Sequence, residues 1–322
     1  MDAKIVKNML LGLAVGDALG VPVEFDSRRS LQENPVTNMR SGGSWGQPAG
    51  TWSDDTSLTV AAMDSIIRRG KIDYADIMEN FLRWYERGDF TANGNRFDVG
   101  NTTRSAIVRF SRKLLPPTKC GATEKNSNGN GSLMRILPAT LYLFGTSGKI
   151  GGDELKIIHE FSALTHGHII SKISCGIYSL IAAQLLSGKN LVDAFRIGID
   201  DAKKFYGDND AFKHFSRLCD ENFAALPEEN ISASGYVVDT LEAAVYCLLN
   251  TDDYKTLALK AVNLGEDTDT VGAVAGGLAG IIYGVESIPV EWLETLKRRD
   301  YLEKISVDFA NVISCSDAAP VV

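Results

Sequence analysis

The stretch "GEDTDTVGAVAGGLAGIIYGV" sets glycines at positions 272, 276, 280 and 284 inside an apolar run. Spaced four apart, they share one face of a helix, and each costs up to about 1 kcal/mol of helix propensity relative to alanine. A glycine face of this kind lets a neighbouring helix approach closely, so the segment belongs inside a packed bundle. Elsewhere apolar residues recur mostly at spacings of three and four, and "SLTVAAMDSIIRRG", "DYADIMENFLRWYERG", "IISKISCGIYSLIAAQLLSG" and "DTLEAAVYCLLN" read as helices. Alternating strand patterns are nearly absent. The expected fold class is all-α: one helical domain over residues 1–314, broken by polar or Gly/Pro-rich loops, with residues 315–322 as a frayed tail.

Composition narrows the function. With 322 residues, 44% of them hydrophobic, the chain is long enough to bury a full core. Its 33 basic against 41 acidic residues, with no basic stripe, argue against a nucleic-acid backbone as partner. Five scattered cysteines (Cys120, Cys175, Cys219, Cys247 and Cys315) without a CxxC pair fit free thiols in a reducing compartment. Asp17 interrupts the apolar amino-terminal run, and no A-x-A cleavage signal follows. The run "VGAVAGGLAGIIYGV" has 15 residues, short of the roughly 18 to 20 that span a bilayer. These features point to a cytoplasmic protein without a membrane partner. The oligomeric state stays open, and a monomer is compatible with everything read here.

The acids carry most of the chemistry. In "TWSDDTSLTVAAMDSI", Ser53 stands at a helix N-cap with Asp54 and Asp55 in the first turn. Capping and the helix dipole account for that arrangement by themselves. "GEDTDT" repeats it, with Asp269 or Thr268 as the expected cap and Thr270 in the first turn. One carboxylate is enough to cap a helix, whereas Glu266, Asp267 and Asp269 together repel one another and call for a cation. Residues i and i+2 of an extended segment project to the same side, so Asp267 and Asp269 can converge. If the two acidic helix starts face each other, Asp54, Asp55, Asp267 and Asp269 bring four negative charges, which two divalent ions would neutralise. Hard oxygen ligands suit Mg²⁺ or Mn²⁺.

Three further segments are candidates. "NSNGNGSLMRILP" sets Asn128 to Ser132 before an apolar helical segment, where unshielded amides suit a phosphate; it is neither a P-loop nor a G-x-G-x-x-G turn. "FDVGNTTRSA" offers Asp98 and Asn101 ahead of a helix, as caps or with a second role. "ALTHGHIISKIS" carries His166 and His168 at i, i+2, a spacing unlike the i, i+4 of helical zinc sites, which leaves a helix-start role or a ligand contact. No G-x-S-x-G elbow is present.

Taken together, "GLAVGDALGVPVEF", "WSDDTSLT", "FDVGNTTRSA", "NGNGSLMRILP", "THGH" and "GEDTDTVGAVAGGLAG" resemble, in order and spacing, the ADP-ribosylglycohydrolase family, and within it the dinitrogenase-reductase-activating and ADP-ribosylarginine hydrolase branch. The resemblance covers about residue 5 to residue 300. It implies a compact orthogonal all-α bundle with two Mg²⁺ or Mn²⁺ ions held by Ser53, Asp54, Asp55, Asp267, Asp269 and Thr270. It implies catalytic roles for Asp98, Glu24 and Asp55, with Glu24 lying over the metal site. Asn101, Asn130, Gly131, Ser132, Met134 and His166 would bind the substrate. The implied reaction is hydrolysis of an N-glycosidic ADP-ribose bond, on an arginine of a protein partner, with the metal pair as template and Lewis acid. Alternatives are O-linked ADP-ribose on serine, a small ADP-ribose conjugate, or a non-catalytic relative of the lens-crystallin kind. Ser53, where many relatives carry threonine, keeps the hydroxyl. Glu266, where glycine is common, adds an unexplained charge.

Overall fold

The computed structural model describes residues 1–315. Its helices are α1 (Ala3–Gly20), α2 (Arg28–Glu33), α3 (Asp54–Arg69), α4 (Tyr74–Arg87), α5 (Asn101–Ser111), α6 (Leu137–Ser147), α7 (Gly152–Ala163), α8 (Ile169–Leu186), α9 (Leu191–Tyr206), α10 (Val237–Leu249), α11 (Tyr254–Val262), α12 (Thr268–Tyr283), α13 (Val290–Thr295) and α14 (Arg299–Cys315). Among the described residues the only extended pairings are isolated bridges such as Gly42 with Gln47. The expected all-α class holds. Cys315, read from the sequence as the first residue of the tail, closes α14; the rest of that tail, 316–322, lies outside the described residues.

The glycine ladder finds its partner at the other end of the chain. α12 packs along α1, which carries its own glycines at 12, 16 and 20. A Cβ on Gly16 would overlap the Gly272 carbonyl, one on Gly12 the Gly276 carbonyl, and one on Gly280 the Asn8 carbonyl. The numbers fall on one helix as they rise on the other, so the helices are antiparallel, with backbones close enough that side chains are excluded between them. Gly284 does not extend the ladder. It ends α12 with a left-handed φ of 77°, a conformation glycine adopts without penalty.

This register matters for the site. Gly20 lies against Thr268 and Asp269, so the end of α1 and the acidic start of α12 sit side by side. The start of α3 is fastened to the same place by Asp17 of α1, wholly buried, which accepts hydrogen bonds from Ser53 N (2.8 Å), Thr56 N (3.1 Å) and Thr56 Oγ1 (2.6 Å). The lone acid in an apolar helix is thus a helix cap supplied from another helix.

Two segments, Ala3–Val23 and Ile169–Leu186, are long and apolar enough to span a bilayer, but 89% and 78% of their apolar windows are buried within the protein. They are core elements, which explains why both are apolar all round. All five cysteines are free, with Cys120, Cys175 and Cys247 buried.

Candidate active site

The two acidic helix starts meet. Ser53 is the N-cap of α3, its Oγ 3.0 Å from Asp55 Oδ2 and 3.3 Å from Asp55 N. From the start of α12, Thr270 Oγ1 lies 3.5 Å from the same carboxylate oxygen of Asp55. The cap of α12 is Asp267, not Asp269 or Thr268 as expected, and its side chain makes no capping bond. The carboxylate turns away to accept from Asn130 Nδ2 at 2.8 Å. Asp269 falls in the first turn, accepting from Thr270 N at 2.9 Å. An acid that holds the cap position without capping has another use for its oxygens.

Glu24 and Asp98 complete the cluster. Ligand oxygens of Glu24, Asp98 and Asp269 lie within 4.8 Å of one another. The indole N–H of Trp45 donates to Glu24 Oε2, and Ser44 Oγ donates to the Glu24 carbonyl at 2.8 Å. Glu266, the third acid of "GEDTDT", is exposed. Its backbone contributes instead: Phe25 N donates to Glu266 O (2.7 Å) and Glu266 N to Asp26 O (2.8 Å). Phe25, Asp98 and Glu266 all adopt left-handed backbone, with φ of 72°, 47° and 64°. Such strain in non-glycine residues persists only where the surroundings impose it, and it gathers at working sites.

The electrostatics of the cluster are one-sided. Burial, then the Asp98 charge, raises the Glu24 carboxyl to about 9. Burial raises Asp17 to about 7, and burial followed by the Asp267 charge raises Asp98 to about 6. Asp54, Asp55 and Asp269 are pushed well above the ordinary carboxylate range by burial and then by neighbouring acids. Asp55 Oδ1 and Asp269 Oδ2 are buried with no hydrogen-bond partner among the described residues. Buried polar atoms are almost always satisfied, so two orphaned carboxylate oxygens facing a group of like charges fit a hard divalent cation held by oxygen ligands.

Beside this group opens a cavity of about 280 Å³, whose lining includes Glu24, Phe25, Asp54, Asp98, Asp267 and Thr270 together with Thr102, Thr103, Asn130, Gly131, Met134 and His166. Ser53, Asp55 and Asp269 are buried behind that lining. Two expected substrate contacts are displaced. Asn101 is exposed as the first residue of α5, bonded to Arg104 at 2.8 Å, because Gly100 takes the cap position. Neither Asn101 nor Asp98 caps that helix, and Thr102 and Thr103 face the cavity instead. Ser132 is wholly buried behind the loop, with Ser162 Oγ donating to it at 2.9 Å.

The glycine loop itself works differently from the expectation. It does not open a helix, since α6 begins only at Leu137, where Pro138 favours the first turn. The amides of Leu133 and Met134 instead close a turn onto the Asn130 carbonyl at 2.7 and 3.2 Å. Gly131 is glycine for want of room: a Cβ there would lie 2.8 Å from His166 Cε1. Of the two paired histidines, His168 caps α8 by accepting from Ile170 N at 3.3 Å, and His166 lines the cavity. Sequence reasoning missed Asp17, Trp45, Phe25, Thr102 and Thr103. Only Asp17 had a signal, as a lone acid in an apolar helix.

Fold and site thus define an all-helical protein in which two acidic helix starts converge beneath one cavity. The chain belongs to the ADP-ribosylglycohydrolase family, whose model matches residues 2–318. It is 32% identical over 300 residues to the ADP-ribosylarginine hydrolase Tri1 of Serratia proteamaculans, covering 93% of this chain and 77% of that one. To the ADP-ribosyl-[dinitrogen reductase] glycohydrolase of Rhodospirillum rubrum it is 33% identical over 288 residues, covering 89% and 88%. A solved structure described as an ADP-ribosylglycohydrolase-related protein complex superposes with a TM-score of 0.80 at 30% identity, covering 97% of this chain and 98% of its own. The protein is accordingly an enzyme of the glycosidic hydrolase kind.

Proposed function

We propose that this protein hydrolyses the N-glycosidic bond between ADP-ribose and an arginine side chain of a protein, releasing ADP-ribose. The observation that carries the reading is the convergence of Glu24, Asp98 and Asp269, of which Glu24 and Asp98 line the cavity. A guanidinium leaving group is cationic, and a carboxylate at the cavity wall such as Asp98 can accept two of its N–H groups. The relatives named for ADP-ribosylarginine and ADP-ribosyl-dinitrogen-reductase substrates support the same choice.

Ser53, Asp54, Asp55, Asp267, Asp269 and Thr270 would hold two divalent cations, magnesium or manganese. When bound, such ions supply charge compensation and Lewis acidity. The chain's own groups do the rest. Asn130, Gly131, Met134 and His166 bind the ADP-ribose, with Thr102 and Thr103 beside them. The acidic wall favours the positive charge that develops at the ribose C1 in an oxocarbenium-like transition state. Asp98 or Glu24 moves the proton between the leaving nitrogen and water. Asn130 Nδ2, shared between Asp267 Oδ2 at 2.8 Å and Thr240 Oγ1 at 2.9 Å, ties the substrate wall to the acidic one.

The test is hydrolysis of ADP-ribosyl-arginine with and without EDTA, run beside ADP-ribosyl-serine. Turnover of the arginine conjugate, lost on chelation and restored by Mg²⁺ or Mn²⁺, is the expected result. Preference for the serine conjugate would move the function to O-linked substrates, and turnover of neither would favour a non-catalytic relative.

A further inference from the structure

Arg135, in the turn after the glycine loop, is wholly buried. That is an expensive place for a guanidinium. It lies between the faces of Phe81 and Phe161, 4.8 and 5.3 Å from the ring centroids, which offsets part of the desolvation. Its Nη2 donates to Thr165 Oγ1 at 2.7 Å, while Nε and Nη1 have no partner among the described residues. Thr165 Oγ1 lies in turn 2.8 Å from Nδ1 of His166.

The direction of this chain follows from its first member. A guanidinium can only donate, so Thr165 accepts from Arg135 and has one hydrogen left to give. Thr165 is itself wholly buried, and His166 Nδ1 is the acceptor at hand. Were Nδ1 protonated, the threonine hydroxyl would be left without an acceptor, at a cost of about 1 to 3 kcal/mol. The proton of a neutral imidazole then resides on Nε2. That nitrogen lies beside the glycine loop, 3.4 to 3.5 Å from where Cβ atoms of Gly131 and Gly129 would be, on the cavity wall. Neutrality has its own support: burial, then the charge of Arg135, lowers His166 to about 3.

We infer that Arg135 and Thr165 are positioning residues which lock His166 as its Nε2–H tautomer, so that this wall of the cavity offers a neutral hydrogen-bond donor to phosphate or hydroxyl oxygens of the ligand. Only the purpose of the donor rests on the cavity's being the substrate site; the relay itself does not. It also gives the loop sequence a reason: glycine at 131 makes room for the ring, and Arg135 four residues later sets its proton.

The experiment is a long-range ¹H–¹⁵N spectrum of ¹⁵N-histidine-labelled full-length protein, with the His166→Asn variant identifying the signals, alongside ADP-ribose titration. The expected wild-type spectrum has His166 protonated at Nε2 with Nδ1 an acceptor. Thr165→Val should release the tautomer and weaken ADP-ribose binding by about tenfold, the worth of one hydrogen bond; Thr165→Ser should restore both. A wild-type His166 protonated at Nδ1 overturns the inference whatever the variants do, so a Thr165→Val protein that fails to fold does not shield it. A folded Thr165→Val protein that keeps the wild-type tautomer overturns it as well. The expected tautomer in a protein that does not bind ADP-ribose upholds the relay and sinks the assignment of the cavity.

Discussion

Thr270 Oγ1 and Asp55 Oδ2 lie 3.5 Å apart although 215 positions separate them in the chain. Their contact joins the starts of α12 and α3, and nothing local to either helix requires it. It follows from the antiparallel seating of α12 on α1 and from the Asp17 carboxylate of α1 gripping the start of α3. The acids are therefore held where α1 and α12 pack backbone to backbone, which keeps a constellation of like charges from spreading apart.

Chelation and refilling should be visible in stability alone. The cluster carries two orphaned oxygens, Asp55 Oδ1 and Asp269 Oδ2, so binding of Mg²⁺ or Mn²⁺ to the native state should raise the melting temperature. At a hundredfold excess over Kd, one site contributes roughly 2.7 kcal/mol. Asp269→Asn should abolish that rise and also make the metal-free protein more stable than wild type, because it removes a buried acid from among its like. Calorimetric scans in EDTA and in Mg²⁺ decide both. An undiminished metal shift in the variant would remove Asp269 from the ligand set.

Variants at Asp98 and beside Glu24 distinguish the two candidate proton carriers. Asp98→Asn keeps the shape of the side chain but loses a charge facing the leaving group, and should lower kcat on ADP-ribosyl-arginine by about 10²- to 10⁴-fold. Trp45→Phe leaves Glu24 intact and removes only its indole partner. Its effect should be confined to roughly tenfold, the worth of one hydrogen bond. Steady-state kinetics on the two variants separate these roles, and an Asp98→Asn enzyme with wild-type kcat would exclude proton or guanidinium handling there.

Much of this was legible in the sequence. Helical periodicity marked the elements, the spacing of Gly272, Gly276 and Gly280 announced a close helix contact, and the doubled acids at 54–55 and 267–269 pointed to their own meeting. What could not be read were relations set by tertiary packing. Gly12 and Gly16 of α1 are an unmarked partner until α12 lies on them, and Asp17 appears only as a break in an apolar run. Ser132 and Asn101 went astray for local reasons: α6 starts at Leu137, four residues later than a helix directly after Ser132 would, and Asn101 is the first residue of α5, not a residue ahead of it.

His159 should make the protein acid-sensitive. Its ring nitrogen bonds Tyr206 Oη at 2.8 Å, and burial, then the Lys172 charge, lowers it to about 4. A depressed histidine is neutral in the folded protein while the unfolded chain takes up a proton below its ordinary value of about 6.5. Its contribution to stability is therefore whole above that pH and is lost as pH falls toward 4, by up to about 3 kcal/mol. His159→Gln, which has no proton to gain, should be less stable than wild type at pH 7.5 and should close that gap at pH 4.5. Urea melts at the two values test it, and a gap that widens on acidification would show the sign to be wrong.

The glycine ladder offers the sharpest test of how the site is built. A Cβ at Gly16 has nowhere to go, since it would overlap the Gly272 carbonyl, a backbone atom that cannot rotate aside. Gly16→Ala gains about 1 kcal/mol of helix propensity, yet overpacking at a rigid contact costs about 1 to 3 kcal/mol or more. Clash should win, and separating α1 from α12 moves Asp17 and Asp269 apart, so metal binding should weaken along with stability. Gly152→Ala is the matched control. Its Cβ would meet Phe205 Cε1 at 3.6 Å, an ordinary contact, and it lies in α7, away from the acids. It should be neutral or slightly stabilising, with metal affinity unchanged. Should Gly16→Ala lose stability yet bind Mg²⁺ as tightly as wild type, the ladder would be a packing device alone, and the link from glycine spacing to the acid cluster would fail.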